Sequence, residues 1–170
     1  MPDARRSPSS WRVQLLWAEF VLVVILQLVA LSAAIARPAP VVPAGRAFPC
    51  TPTHVWDGDG PIWCREGPHL RLAGIATREL NGSCRRGHPC PAASGIAARD
   101  ALVRLLGGAA GRSPDGHVLV HGARLTCMSG GADRYRRTLA RCWLRGRNLG
   151  QLLVTTGVAL PWQFTRKHLL

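Results

Sequence analysis

Lysine is almost missing from this chain: Lys167 stands alone beside 21 arginines, with only nine aspartates and glutamates to oppose them. The shortage of acids leaves few groups able to ligate a hard cation or act as a general base. Because genomic base composition also sets the arginine share, arginine richness by itself is weak support for phosphate binding. Sustained heptads are missing too, since 18 glycines and 13 prolines punctuate the sequence, and that excludes a coiled coil. No internal repeat is present. What the chain does have is a hydrophobic fraction of 47% and a formal charge of +13 on 170 residues. That apolar content excludes a disordered polycation. The length allows one compact domain plus a tail or anchor.

Arg5, Arg6 and Arg12 precede an apolar run from Phe20 to Ala36, interrupted only by Gln27 and Ser32. A basic start, an apolar middle and the small-residue exit Ala34-Ile35-Ala36 predict an export segment over residues 1–36. At 17 residues the run is at the lower edge of what spans a bilayer, about 20 residues. Cleavage after Ala36 and retention as a membrane anchor over 13–36 both remain open. A buried helix is disfavoured by the flanking charge and the missing amphipathic period. Residues 37–47, beginning RPAPVVPAG, read as a semi-rigid Pro-rich linker, and 48–170 as the folded domain.

Without residues 1–36 the charge is +12 on 134 residues, with only seven acids left. So positive a surface favours polyanions: nucleic acid, anionic lipid headgroups or acidic polysaccharide. All six cysteines (Cys50, Cys64, Cys84, Cys90, Cys127, Cys142) lie beyond the export segment. An even number in an oxidising compartment predicts disulfides. Sequence spacing favours Cys84–Cys90, Cys127–Cys142 and Cys50–Cys64 among the possible connectivities. A zinc site at Cys84, His88 and Cys90 is the weaker alternative, because it lacks a fourth ligand.

Val55-Trp56-Asp57-Gly58-Asp59-Gly60 reads as a strand running into a tight turn. Pro61–Arg65 and His69–Ile75 are strand candidates, CRRGHPCP is a cysteine-closed loop, and Ala92–Leu106 has the period of an amphipathic helix stopped by Gly107-Gly108. His117–Cys127 and Thr138–Leu144 predict two more strands joined by the loop MSGGADRYRR, followed by a short helix over Leu149–Thr156. Five short strands with a helix between the third and fourth is the order of an OB-type barrel. The expected fold is therefore mainly β with helices.

Three clusters carry chemistry. Asp57 and Asp59 offer hard oxygen ligands to Ca²⁺ or Mg²⁺, or simply form a hairpin turn. Arg71, followed by Thr77 and Glu79, combines a phosphate clamp with a carboxylate able to take a proton from water, or forms a solvated ion pair. Asp133-Arg134-Tyr135-Arg136-Arg137 suits backbone phosphates and a stacking base, or is a solvated basic loop.

Taken together, VWDGDG at 55–60, LRLAGIATRE at 70–79, DRYRR at 133–137 and LLVTTGVAL at 152–160 resemble the thermonuclease (staphylococcal nuclease-like) family across about residues 48–160. The resemblance implies a five-stranded OB barrel, a Ca²⁺ site and hydrolysis of DNA or RNA phosphodiesters. It implies Asp59 as the metal carboxylate with Asp57 behind it, and Thr77 as the residue whose carbonyl faces the metal. Arg71 and Arg137 become the arginines at the phosphate, Glu79 the carboxylate that activates water, and Arg134 and Tyr135 substrate contacts.

The sequence departs from the family at several of these points. Ala76 stands where the second metal carboxylate belongs, Arg78 replaces a proline, Gly60 a threonine and Arg136 a glycine. No segment after Leu160 matches the family's last helix. The expected protein is an exported, monomeric, disulfide-bonded nuclease, periplasmic or extracellular or held at the membrane by its N-terminal segment. The alternatives are a catalytically impaired domain that binds nucleic acid or another polyanion without cleaving it, and an envelope domain turned toward anionic lipid. Thiol titration of the native exported protein should detect no reactive thiol; six free thiols would overturn the disulfide assignment.

Overall fold

The structure, a computed structural model, describes residues 9–35 and 38–163. The chain forms two units, Met1–Pro38 and Ala39–Leu170. In the first, α1 (Ser9–Ile35) is a 27-residue helix. Its described side chains, Gln14 to Leu28, are all exposed, among them Leu16, Trp17 and Phe20. Among the described residues no helix is long and apolar enough to cross a membrane, so the expected anchor is unsupported. Arg5, Arg6 and the Ala36 exit lie outside the described residues.

In the second unit, β1 (Ala47–Cys50), β2 (Pro52–Val55), β3 (Ile62–Cys64), β4 (His69–Leu72) and β5 (Ile75–Ala76) lead to α2 (Gly95–Leu105). Then follow β6 (Ala109–Arg112), β7 (Val118–Val120), β8 (Leu125–Ala132), β9 (Thr138–Leu144), β10 (Arg147–Asn148), α3 (Leu149–Thr155) and β11 (Leu160–Pro161). The main sheet runs β1-β8-β9-β4-β3-β2-β7-β6, with β10 on β9, while β11 pairs with β5. The β4–β9 pairing is parallel, and its neighbours in the sheet are antiparallel. Only Thr51 separates β1 from β2, so the path from β2 through β3, β4, β9 and β8 returns to its own beginning. This closure makes a strongly curled sheet, compatible with an OB-like barrel. Val55, Ile62, Leu70, Leu72 and Leu125 from the strands meet Leu102, Leu106, Leu149 and Leu153 inside it, each at most 1% exposed. Burying each such side chain contributes about 1.5–3 kcal/mol.

All three expected disulfides are present, Cys50–Cys64, Cys84–Cys90 and Cys127–Cys142, and no cysteine is free. Cys127 and Cys142 sit directly opposite each other across β8 and β9. With its sulfurs bonded together, the Cys84–Cys90 loop is not a zinc site.

Several elements differ from expectation. The single strand expected over His117–Cys127 is two, β7 and β8, broken where Gly122 takes φ +82° against the Pro52 carbonyl. Half of the expected loop at 128–137 is strand: β8 runs on to Ala132, leaving Asp133–Arg137 as the turn. The linker is not free either. Val42 donates its N–H to Thr138 Oγ1 at 3.1 Å, Ser129 Oγ donates to the Val42 carbonyl at 2.7 Å, and Gly45 N–H reaches the Ser129 carbonyl at 2.9 Å.

Two glycines set the spacing around the carboxylate turn. A Cβ on Gly58 would lie 2.5 Å from Ala98 Cβ and 2.9 Å from Thr77 Cγ2. One on Gly95, the first residue of α2 after its N-cap Ser94, would lie 2.3 Å from the Glu79 carbonyl oxygen. The turn, the 77–79 segment and α2 thus interlock at van der Waals contact. Gly95→Ala should lower unfolding free energy by about 1–3 kcal/mol through overpacking. Ile96→Ala, at a side chain 52% exposed, should change it by less than about 0.5 kcal/mol. Denaturant unfolding without reductant checks both.

Candidate functional site

Asp57 and Asp59 lie on the turn between β2 and β3, each 7% exposed. Asp57 Oδ1 accepts the backbone N–H groups of Asp59 at 3.2 Å and Gly60 at 2.8 Å, which is how this turn closes. Leu72 N–H donates to the Asp59 carbonyl at 2.8 Å, drawing the turn against β4. Arg71 on β4 is 4% exposed and reaches Asp59 Oδ2 with Nη2 at 2.5 Å. A guanidinium in a barrel wall needs such a partner, because an unpaired buried charge is far costlier than a paired one.

Glu79 follows β5 and Thr77. It is half-exposed and its Oε1 lies 3.3 Å from Arg85 Nη2. Thr77 is buried with its methyl beside Gly58. On the β8–β9 turn, Asp133 Oδ1 accepts the N–H groups of Tyr135 and Arg137, both at 2.9 Å, and Oδ2 accepts Arg137 Nε at 2.8 Å. Arg137 is therefore fixed by the acid that shapes its own turn. Arg134 Nη2 bonds the Tyr135 hydroxyl at 2.8 Å, and both are exposed at the tip.

Electrostatics tie these elements together. Burial pushes the Asp57 carboxyl up to about 7, helped by the charges of Asp59 and Glu79, against the two backbone N–H bonds that favour ionisation. Burial also pushes Asp59 upward, while Arg71 and, more weakly, Arg137 pull it back and Glu79 adds to the rise. Arg71, Glu79 and Arg137 are thus close enough for their charges to act on the Asp59 carboxyl.

Sequence reasoning gave Arg85 and Trp162 no role here and weighed His88 only as a zinc ligand. Arg85, Arg134 and Arg137 crowd one ring, with guanidinium carbons 5.7, 4.8 and 5.2 Å from the Tyr135 centroid. Trp162 has Arg71 over its ring at 5.7 Å and His88 stacked on it at 3.7 Å. Trp162 is brought there by the β11–β5 pairing and by its N–H bond to the Gly74 carbonyl. The signal for Arg85 and His88 was the cysteine-closed loop CRRGHPC so soon after Glu79. Trp162 carried no signal beyond being aromatic.

The donor set does not fit a calcium ion. Ala76 brings no carboxylate, Asp57 uses Oδ1 to close its turn, and Asp59 Oδ2 is taken by Arg71. Oxygen ligands at 2.3–2.6 Å from one ion must lie within about 5 Å of each other. Among the described residues the only such group of three is Cys50, Cys64 and Glu66, whose two sulfurs form a disulfide. Arg78 is not the cation's substitute: its guanidinium bonds the carbonyls of Pro91 and Gly82 and ties down the 79–91 loop.

No family model matches the chain, and no curated protein matches it.

For a carboxyl raised on folding, the native state holds the proton more tightly than the unfolded chain. Stability is then greatest below the ordinary value of 3.8 and declines as pH rises through about 7. Asp57→Asn keeps an acceptor oxygen for the turn and should flatten that decline. Unfolding free energies measured across this pH range check it, and an unchanged slope would show that Asp57 is not the group responsible.

Proposed function

We infer that this is an exported domain that hydrolyses phosphodiester bonds of DNA or RNA, as its resemblance to the thermonuclease family implies. The gathering of charges at Asp59 carries the reading, because Arg71, Glu79 and Arg137, from three other segments, all act on its carboxyl. Three disulfides support an oxidising, exported environment. Residues 1–36 have the charge and apolar order of an export signal.

Attack of water on phosphorus builds negative charge on the non-bridging oxygens and breaks the bond to one ester oxygen, which leaves and takes a proton from solvent. Arg71 and Arg137 are planar donors suited to that charge, and their fixing by Asp59 and Asp133 removes reorganisation from the step. Glu79 accepts the water proton; its carboxylate is half-exposed and so open to solvent. Tyr135, more than half exposed at the hairpin tip, offers a face to a base.

A second reading, binding without cleavage, is favoured by one observation: Ala76 brings no carboxylate and Arg71 occupies Oδ2 of Asp59. The two part in one assay. The full chain is incubated with single-stranded DNA and with RNA, with Ca²⁺ and separately in chelator, beside Glu79→Gln and Arg71→Ala. Hydrolysis should fall by about 10²–10⁴-fold in each variant. Wild-type protein that shifts the nucleic acid in a gel and leaves its length unchanged would overturn hydrolysis and establish binding.

A further inference from the structure

Three acids of the site are met by guanidinium groups, Asp59 by Arg71, Asp133 by Arg137 and Glu79 by Arg85, while Asp57 accepts backbone N–H groups instead. Two of these pairs belong to motifs of the resemblance. The third comes from the Cys84–Cys90 loop, which that resemblance does not cover with any role. The loop is closed by its disulfide and by the His88 N–H bond to the Arg85 carbonyl at 3.0 Å. It is docked at both ends, with Arg85 beside Glu79 and Tyr135 and His88 stacked on Trp162.

Three guanidinium groups within 6 Å of one phenol ring repel one another, and Asp133 and Glu79 pair with only two of them. Cations gathered this way form a site for an anion. Arg85 keeps about a third of its side chain exposed, so its fork is open to a ligand while Glu79 fixes its position.

We propose that Arg85, held by the Cys84–Cys90 loop, is a third phosphate-binding arginine of this site. Beside Arg71 and Arg137 it adds N–H donors to a bound phosphate, and this engagement needs no divalent cation. This rests on the nucleic-acid reading above.

The test measures affinity of the full chain for a single-stranded phosphorothioate oligodeoxynucleotide, which resists cleavage, in chelator over a series of salt concentrations. Arg85→Ala should weaken Kd by about tenfold or more. It should also make the slope of log affinity against log salt shallower by about 0.7, the value of one phosphate contact on a single strand. Arg85→Lys should keep the slope, since the charge remains. Cys84→Ser/Cys90→Ser should lose affinity as Arg85→Ala does, with thermal melting confirming that each variant is folded. A folded Arg85→Ala with wild-type affinity and slope overturns the proposal and leaves the nucleic-acid reading standing, whereas wild-type protein that fails to bind overturns both. Calorimetric titration with calcium alone should give no binding heat; binding that Asp59→Asn abolishes would overturn the metal-free part.

Discussion

A guanidinium and a carboxylate taken out of water together hold this domain's working end in place. Arg71 stands in β4, between β3 and the parallel partner β9, where the wall of the barrel leaves it 4% exposed. The turn carrying Asp59 has to fold over it, because leaving either charge alone in that environment costs several kcal/mol. The turn can do so only because Gly58 and Gly60 let its backbone approach Ala98, Thr77 and the Leu70 carbonyl. One ion pair thus couples the barrel wall, the first turn and the face of α2, and Glu79 is carried into position by the same packing.

Much of this was legible in the sequence, and the boundary has a physical cause. Thr138–Leu144 appears as the strand expected, and all three cysteine pairs match their spacing, because strand alternation and short loop closure are local properties. The break between β7 and β8 was not legible, since it depends on the Pro52 carbonyl arriving beside Gly122 from another part of the chain. Ion-pair partners were hidden for a similar reason. With 21 arginines available, sequence alone cannot say that Arg78 binds two carbonyls while Arg85 binds Glu79. Registering which arginine meets which acid takes tertiary geometry. Asp59, Arg71, Glu79 and Arg137 could be named from motifs, whereas Arg85, His88 and Trp162 could not.

The resemblance that pointed to those motifs also implied a calcium ion, and here the local chemistry diverges from it. A divalent cation and a guanidinium both satisfy a carboxylate, but they do so with different numbers of ligands. An ion of calcium's coordination number needs several oxygens converging from different segments, whereas an arginine fork needs one carboxylate in its plane. Replacing a carboxylate by Ala76 removes a ligand that the first arrangement requires and the second does not. The shortage of acids noted at the outset is matched here by arginine pairing: Asp59, Asp133 and Glu79 each meet a guanidinium.

The strap at Val42 has a mechanical meaning. Tension applied to the chain ahead of Ala39 enters the folded domain through Val42 and Gly45, whose bonds end on Ser129 and Thr138. Those two residues belong to the β8–β9 hairpin, whose strands are riveted by Cys127–Cys142 and whose tip is Asp133–Arg137. A pull on the leading segment is consequently borne in shear by the hairpin that presents Arg134, Tyr135 and Arg137. The covalent cross-link shields that hairpin from peeling, so load would reach the arginine tip as a strain on its orientation before it could open the barrel.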